Sequence, residues 1–288
     1  MLIVFIFYLI IFLILFLLSR NKYNDHVMPL DKNEYKLKFF LPMGLFILDK
    51  AKYKYSSKYD RTLQIKISEI KGAKYSVYYL QIHQANKIAL TLVLLLLFTL
   101  VGAAMGELDS GYLIVGILML AAVIYFTDNE LSGKVKKRRL SIQIDFPDFL
   151  NKLILLVNAG MTMSRAWEKI VVENKRESIL YEELGVVLAD IRAGKPEITA
   201  FEDFAKRCRI PEITRFVSVA LQNLNRGSSE MIPILRLQAS ECWEMRKHAA
   251  KRLGEEASTK MLLPLALMFF AIILIVGTPA ILALVKGI

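Results

Sequence analysis

The sequence is poor in the residues on which most enzyme and metal chemistry depends. Its 288 residues include two cysteines and three histidines. Cys208 and Cys242 have no CxxC spacing, so they read as reduced structural thiols rather than as a zinc ribbon or a disulfide framework. His26, His83 and His248 are far apart in the chain, and no metal site is predicted. There is no GxxxxGK[ST] loop: Gly194–Lys195 is followed by Pro196, which cannot help to cradle a phosphate. GxGxxG, HExxH and GxSxG are also missing. The four longest apolar runs carry no Asp, Glu, Lys, Arg or His, which counts against an ion pump. Gly102, Gly116 and Gly277 would let membrane helices approach closely, yet they offer a small transporter no ion ligand. A membrane-anchored enzyme would have to work through carboxylates such as Asp148, Asp190 and Asp203, whose spacing is that of solvated helix surfaces. No catalytic, cofactor or metal residue is assigned, and no enzymatic activity is expected.

What is abundant is apolar sequence, at 55% of residues, beside 23% charged residues. The two kinds are segregated. Met1–Leu18, Ile88–Met105, Gly111–Thr127 and Met261–Val285 are each free of charge. A bilayer core takes about 20 apolar residues as helix, so these predict four membrane spans. The second and third, separated only by Gly106 to Ser110, read as a hairpin. Met1–Leu18 lacks a basic leader and a small-residue cleavage site, so it reads as a retained anchor rather than a signal peptide.

Basic residues set the orientation. Residues 19–86 hold 13 Lys and Arg against 6 acidic residues, residues 128–260 hold 23 against 19, and the hairpin tip holds none. The positive-inside bias places both segments in the cytoplasm and the tip outside, in a plasma or inner membrane. The formal net charge of +11 is concentrated beside the spans, as at Lys134, Lys136, Lys137, Arg138 and Arg139, which points to anionic lipid rather than nucleic acid. The expected division is therefore an anchor (1–18), a basic cytoplasmic segment (19–86), a membrane hairpin (87–127), a cytoplasmic helical bundle (128–260) and a last span (261–285).

Residues 19–86 contain eight tyrosines from Tyr23 to Tyr79, read as interfacial aromatics. Pro29 and Pro42 break its early part, helix is expected from about Phe46, and Gly72 reads as a turn before a helix that enters the second span. The larger segment reads as six helices without a strand, giving an all-α polytopic protein with a cytoplasmic six-helix bundle. Phe146, Phe149, Leu150, Leu153, Ile154 and Val157 recur with one-face helical spacing. Asp145 is the expected cap of that helix, with Pro147 in its first turn. Gly160 is the expected left-handed stop and Thr162 the next cap. Further stops or starts fall at Gly194, Pro196, Pro211, Gly227 and Ser228 or Ser229. The last helix is expected to run into the fourth span, solvated by i,i+4 pairs such as Lys251 with Glu255.

Three stretches together resemble the F domain of type II secretion systems. Asp145–Ile170 (DFPDFLNKLILLVNAGMTMSRAWEKI) is similar to its opening helices, Ala200–Ala239 to its later ones, and Glu255–Leu282 to its exit into the last span. The order of anchor, basic segment, hairpin, bundle and span resembles the Tad/Flp-type pilus assembly platform proteins, which carry one F domain each. The resemblance implies a membrane platform that couples a cytoplasmic ATPase to pilin assembly, and a homo- or hetero-oligomer with a second single-F-domain protein. The missing phosphate loop suits an energy source on another chain. The basic side chains Arg246, Lys247, Lys251 and Arg252 of the last helix are the candidate ATPase-docking groups, although such charges also serve simply to solvate a helix.

Overall fold

Apolar runs too long for a soluble core helix become uninterrupted helix in the computed structural model. It describes all residues except 1, 32–33, 36, 106–109, 224–227 and 287–288, and the side chains of these except 21, 105, 110, 223, 228–231, 253, 256–257 and 279–286. The helices are α1 (Leu2–Val27), α2 (Leu41–Lys50), α3 (Lys58–Lys71), α4 (Ser76–Met105), α5 (Ser110–Asn158), α6 (Met163–Glu173), α7 (Ile179–Arg192), α8 (Glu197–Cys208), α9 (Pro211–Asn223) and α10 (Ser228–Lys286). Short 3-10 turns cover Lys38–Phe40 and Ala73–Tyr75, and there is no strand among the described residues. Leu2–Arg20, Ala73–Ala104, Gly111–Asn158 and Ser258–Thr278 are long and apolar enough to cross a membrane. The last of them is uncovered along its length, with Leu263 69% exposed and Ile275 73% exposed, and the other three also present much apolar surface. A soluble protein rarely leaves so much contiguous apolar surface in water, so lipid is the solvent these helices suit. The expected hairpin tip lies outside the described residues apart from Ser110, and so does Gly227.

The chain divides into two units, Met1–Arg138 and Arg139–Ile288, with the boundary inside α5. In the first, α1, α2 and α4 pack around Val27, Leu30, Leu41, Leu45, Leu48, Ile82 and Ala85. Gly44 of α2 lies directly on α4: a Cβ built there would sit 2.1 Å from the Ala85 carbonyl oxygen. Helix α3 is started by a capping box. The Ser57 hydroxyl accepts from the Asp60 N–H at 3.0 Å and the Asp60 carboxylate accepts from the Ser57 N–H at 3.4 Å. Gly72, with φ +83°, ends that helix before α4.

Two expectations fail here. Helix does not begin near Phe46: α2 starts at Leu41, and Pro42 belongs to its first turn. Pro lacks an N–H that an N-terminal turn would leave unused anyway. Nor does a helix begin at Asp145, because α5 runs unbroken from Ser110 to Asn158 with Pro147 inside it. The lost backbone bond costs about 3 kcal/mol. Burying Ile142 and Phe146 on the same face contributes about 1.5–3 kcal/mol each, which outweighs it. The Asp145 carboxylate accepts a hydrogen bond from the Ser178 hydroxyl instead of capping.

In the second unit, the C-terminal part of α5, helices α6 to α9 and the first third of α10 share one core. Trp167 is its centre. Phe201, Phe149 and Phe204 lie at centroid distances of 4.9, 5.0 and 5.5 Å, and the indole N–H donates to the Leu184 carbonyl at 3.2 Å. The helix punctuation is chemical. Gly160 has φ +91°, its N–H donates to the Val157 carbonyl, and the Met161 N–H donates to Leu156, the paired bonds of a Schellman stop. Gly194 repeats the pattern with φ +90° and bonds to Ile191 and, through Lys195, to Asp190. The Thr162 hydroxyl accepts from the Arg165 N–H at 3.4 Å and caps α6. Arg209 takes the left-handed conformation that ends α8, with φ +52°.

Candidate functional site

The proposed docking residues lie on α10, between its last core residue, Cys242, and the start of the fourth apolar stretch at Ser258. The structure separates them. Arg246 is half-buried and donates to the Asp148 carboxylate at 3.0 Å, 98 residues earlier in the chain. Its guanidinium stands 5.1 Å from the Trp243 ring centroid. Arg246 thus ties α10 to α5. Lys247 and Lys251 are exposed and reach Glu244 and Glu255 only at 3.9 Å each, the spacing of weak surface pairs. Arg252 is exposed and lines a groove. The other expected pairs on this helix rest on Glu256, whose side chain is outside the described residues.

That groove, about 330 Å³, is walled by Gln143 and Phe146 of α5, Ile210, Glu212 of α9, and the α10 face carrying Cys242, Met245, His248, Ala249 and Arg252. Glu212 Oε1 accepts from the Gln143 amide at 3.3 Å, and the Glu212 main-chain carbonyl accepts from the Gln238 amide at 2.7 Å. Glu212 Oε2 and Gln238 Oε1 are buried and have no hydrogen-bond partner among the described residues. Burial, with the Glu212 and Glu241 carboxylates nearby, pushes the Cys242 thiol up to about 11, so it stays protonated and inert at neutral pH.

The bundle carboxylates considered as a metal or catalytic set are dispersed in ion pairs. Asp190 and Asp203 both hold Lys195, at 2.9 and 2.8 Å. Hydrogen bonding to Asp203 and then Asp190 raises the Lys195 pKa, and Lys195 in turn lowers that of Asp203. Asp148 takes Arg246 and, at 3.7 Å, Arg176. Among the described residues, no group of three or more His, Cys, Asp or Glu is placed to hold a metal ion.

Sequence reasoning missed a charge cluster in the first unit. Lys87 pairs with Asp128, which also takes the Tyr59 hydroxyl and, at 3.1 Å, His83 Nε2. The Lys87 side chain is only 7% exposed. A signal was available: Lys87 immediately precedes the second apolar run and Asp128 immediately follows the third, so folding the hairpin brings them level. The tyrosines are likewise structural donors. Tyr53 donates to Asp60 at 2.8 Å, Tyr23 to Asp49 and Tyr78 to the His26 carbonyl at 2.5 Å.

Residues 149–279 match the family of the type II secretion system (T2SS), protein F. No curated protein and no solved structure matches the chain. The matched stretch begins at Phe149, beside Trp167 in the aromatic core, and ends in the fourth apolar stretch, so it takes in the bundle helices and their exit through α10. Proteins of this family are non-enzymatic inner-membrane platforms that work with secretion ATPases and pilin-like subunits. Residues 149–279 of this chain are a T2SS protein F domain, the membrane platform domain of secretion and pilus systems.

Proposed function

We propose that the chain is a platform protein of a type IV-like, Tad/Flp-type pilus or of a type II-like secretion machine. Residues 19–86 and 128–260 face the cytoplasm, and the bundle receives a cytoplasmic ATPase whose work is passed to pilin subunits in the bilayer. A second single-F-domain protein and anionic lipid complete the assembly. The observation that carries this reading is α10. One helix, Ser228–Lys286, includes core residues Leu235, Ala239 and Cys242 and also the whole apolar stretch Ser258–Thr278. Displacing the bundle therefore loads a continuous hydrogen-bonded element that enters the membrane. Lys247, Lys251 and Arg252 are the proposed docking cations, and Arg246 supports them by holding α10 against α5.

The test is a pull-down of the full chain, in maltoside micelles, with the secretion ATPase encoded beside it. Binding is expected at low salt and is expected to weaken as exposed charges are screened, over about 8 Å at physiological ionic strength. Absence of binding at low salt, with both proteins folded, would remove the platform reading. ATP hydrolysis by the chain alone would contradict it as well. Orientation has its own test: a cysteine at Ser110, in otherwise cysteine-free protein, is expected to react with an impermeant maleimide on intact cells.

A further inference from the structure

Residues 39–48 (FFLPMGLFIL) make a short apolar run, free of charge from end to end. A run of about 10–14 apolar residues is too short to cross a bilayer and suits either a core helix or an interfacial, re-entrant one. The contacts decide between them. One side of α2 is core, with Leu41, Leu45 and Leu48 buried. Phe39, just before it, is 59% exposed. The Phe39 ring lies 4.8 Å from that of Phe16, and the Phe40 ring lies 5.8 Å from that of Phe12. At 1.5 Å per residue, Phe16 and Phe12 stand about 3 and 9 Å before Leu18, where the apolar run of α1 ends. The chain thus leaves the apolar zone with α1, turns back, and returns Phe39 and Phe40 to the depth of Phe16 and Phe12. Helix α2 then carries it out again, and Asp49, near its end, meets Lys22 at 2.9 Å.

We propose that Phe39 is immersed in the acyl chains of the leaflet that α1 leaves, so that the turn at 38–40 and the start of α2 form a re-entrant element of the membrane domain. Continuity selects lipid as the occupant. Phe39 lies on the α1 face of Leu13, Phe16, Leu17 and Arg20, which share the i, i+3, i+4, i+7 spacing of one helix side. Leu13 is 49% and Leu17 68% exposed, so Phe39 extends a surface that α1 already offers to the bilayer. The neighbouring charges mark the polar edge. Lys38 reaches back past the end of α1 and donates to the Met28 and Leu30 carbonyls at 2.8 and 2.5 Å, as a lysine does when its stem lies in lipid. The Arg20 guanidinium stands 5.9 Å from the Phe39 ring, one turn beyond Phe16. The backbone at this depth is satisfied, as a bilayer requires. The Phe40 N–H donates to the Leu37 carbonyl at 2.9 Å, and Pro42, in the first turn of α2, has no N–H to place. The inference rests on α1 spanning the bilayer and is independent of the platform reading.

The test uses the full chain in nanodiscs of phosphatidylcholine and phosphatidylglycerol, with a nitroxide attached to Phe39→Cys. Power saturation measures its collisions with oxygen, which concentrates among acyl chains, and with a neutral nickel chelate, which stays in water. The native Cys208 and Cys242 are buried and stay unlabelled. Leu17→Cys and Asp25→Cys, both at exposed positions of α1, supply the lipid and water references. The oxygen-to-nickel ratio at position 39 is expected to match Leu17→Cys and to exceed Asp25→Cys several-fold. A ratio like that of Asp25→Cys would put the ring in water and overturn the proposal. Few collisions with either agent would mean that protein, such as a second copy of the chain, covers Phe39, and would overturn it as well. A water-like ratio at Leu17→Cys would remove the premise that α1 spans, and the proposal with it. Should Phe39→Cys fail to fold, replacing Phe39 with 4-fluorophenylalanine keeps the ring, and fluorine relaxation by the same two agents decides in the same way.

Discussion

Gly160 offers the sharpest test of how this bundle is built. It joins α5 to α6 at φ +91°, and a Cβ built on it would meet nothing within 4 Å. Any penalty for a larger residue is therefore conformational and not steric. For an L-residue the left-handed region costs about 1–2 kcal/mol, and a β-branched side chain fares worse there. Asparagine tolerates it best among non-glycine residues. The expected order of stability is Gly, Asn, Ala, Val, with Gly160→Ala losing about 1–2 kcal/mol and Gly160→Val at least 2 kcal/mol. For a unit of this size, 1 kcal/mol shifts the melting point by about 2–4 °C. Gly160→Val should then melt roughly 4–8 °C lower. The assay is thermal denaturation of the full chain in micelles, read by near-ultraviolet circular dichroism of Trp167, which lies in the affected core.

The same series separates two mechanisms. If the turn adopts the left-handed conformation, asparagine stands close to glycine and valine far below. If the position merely needs a small residue, alanine does as well as glycine and asparagine does worse. The second outcome, or an unchanged melting point for valine, would refute the argument from backbone geometry. The hydrogen bonds from the Gly160 and Met161 N–H groups to Val157 and Leu156 make a further prediction possible: amide exchange at Met161 should accelerate in step with the loss of stability.

Other outcomes follow from single contacts. Gly44→Ala is expected to destabilise the first unit by about 3 kcal/mol or more, because it forces α2 away from the α4 backbone; Ala85→Gly should not rescue it, since the clash is with a carbonyl oxygen. Asp60→Asn is expected to lose about 2 kcal/mol in a denaturation assay, since the carboxylate accepts from Tyr53, Ser57 and Gln84. Burial alone would raise the Asp60 pKa, but those bonds hold it below the usual value; the stability it contributes is therefore present at neutral pH and lost as pH falls below about 4. Arg246→Ala is expected to lose about 1–2 kcal/mol of bundle stability through its ion pair and its stacking on Trp243, whereas Lys247→Ala and Lys251→Ala should stay within about 0.5 kcal/mol; equal stability for all three would show that Arg246 is not a tie between α10 and α5.

Much of this architecture is local and was legible from residue order. The spans follow from run length, the α5 face from the spacing of Phe146 to Val157, and the turns from glycine, where only backbone freedom matters. Judgements that required knowing which distant group answers a side chain fared worse. Asp145 looks like a cap until Ser178, 33 residues on, proves to be its partner. Arg246 looks like a free docking cation until Asp148 appears across the bundle. Pro147 looks like a first-turn proline because sequence shows the missing N–H and not the buried surface that outweighs it. The groove at Glu212 was invisible for the same reason, since an acidic residue directly after Pro211 reads as an ordinary favourable start to a helix.

The stretch of α10 between the bundle core and the fourth apolar stretch is the least supported part of that helix. The bundle core holds this helix up to Cys242, and the apolar stretch begins at Ser258. Between them little in the sequence stiffens the helix by itself. The Lys251–Glu255 pair contributes only about 0.2–0.5 kcal/mol, while Gly254, with nothing within 4 Å, costs about 1 kcal/mol relative to alanine. The helix is thus propped from its two ends: by packing on the bundle side, and on the other by a bilayer in which an unmade backbone bond costs several kcal/mol. Beyond Cys242 the α10 face carrying Met245, His248 and Arg252 is exposed and adds no core packing toward that weak stretch. Gly254→Ala is therefore expected to stabilise this stretch by about 1 kcal/mol, read as slower amide exchange between Cys242 and Ser258; unchanged exchange would refute the weak point.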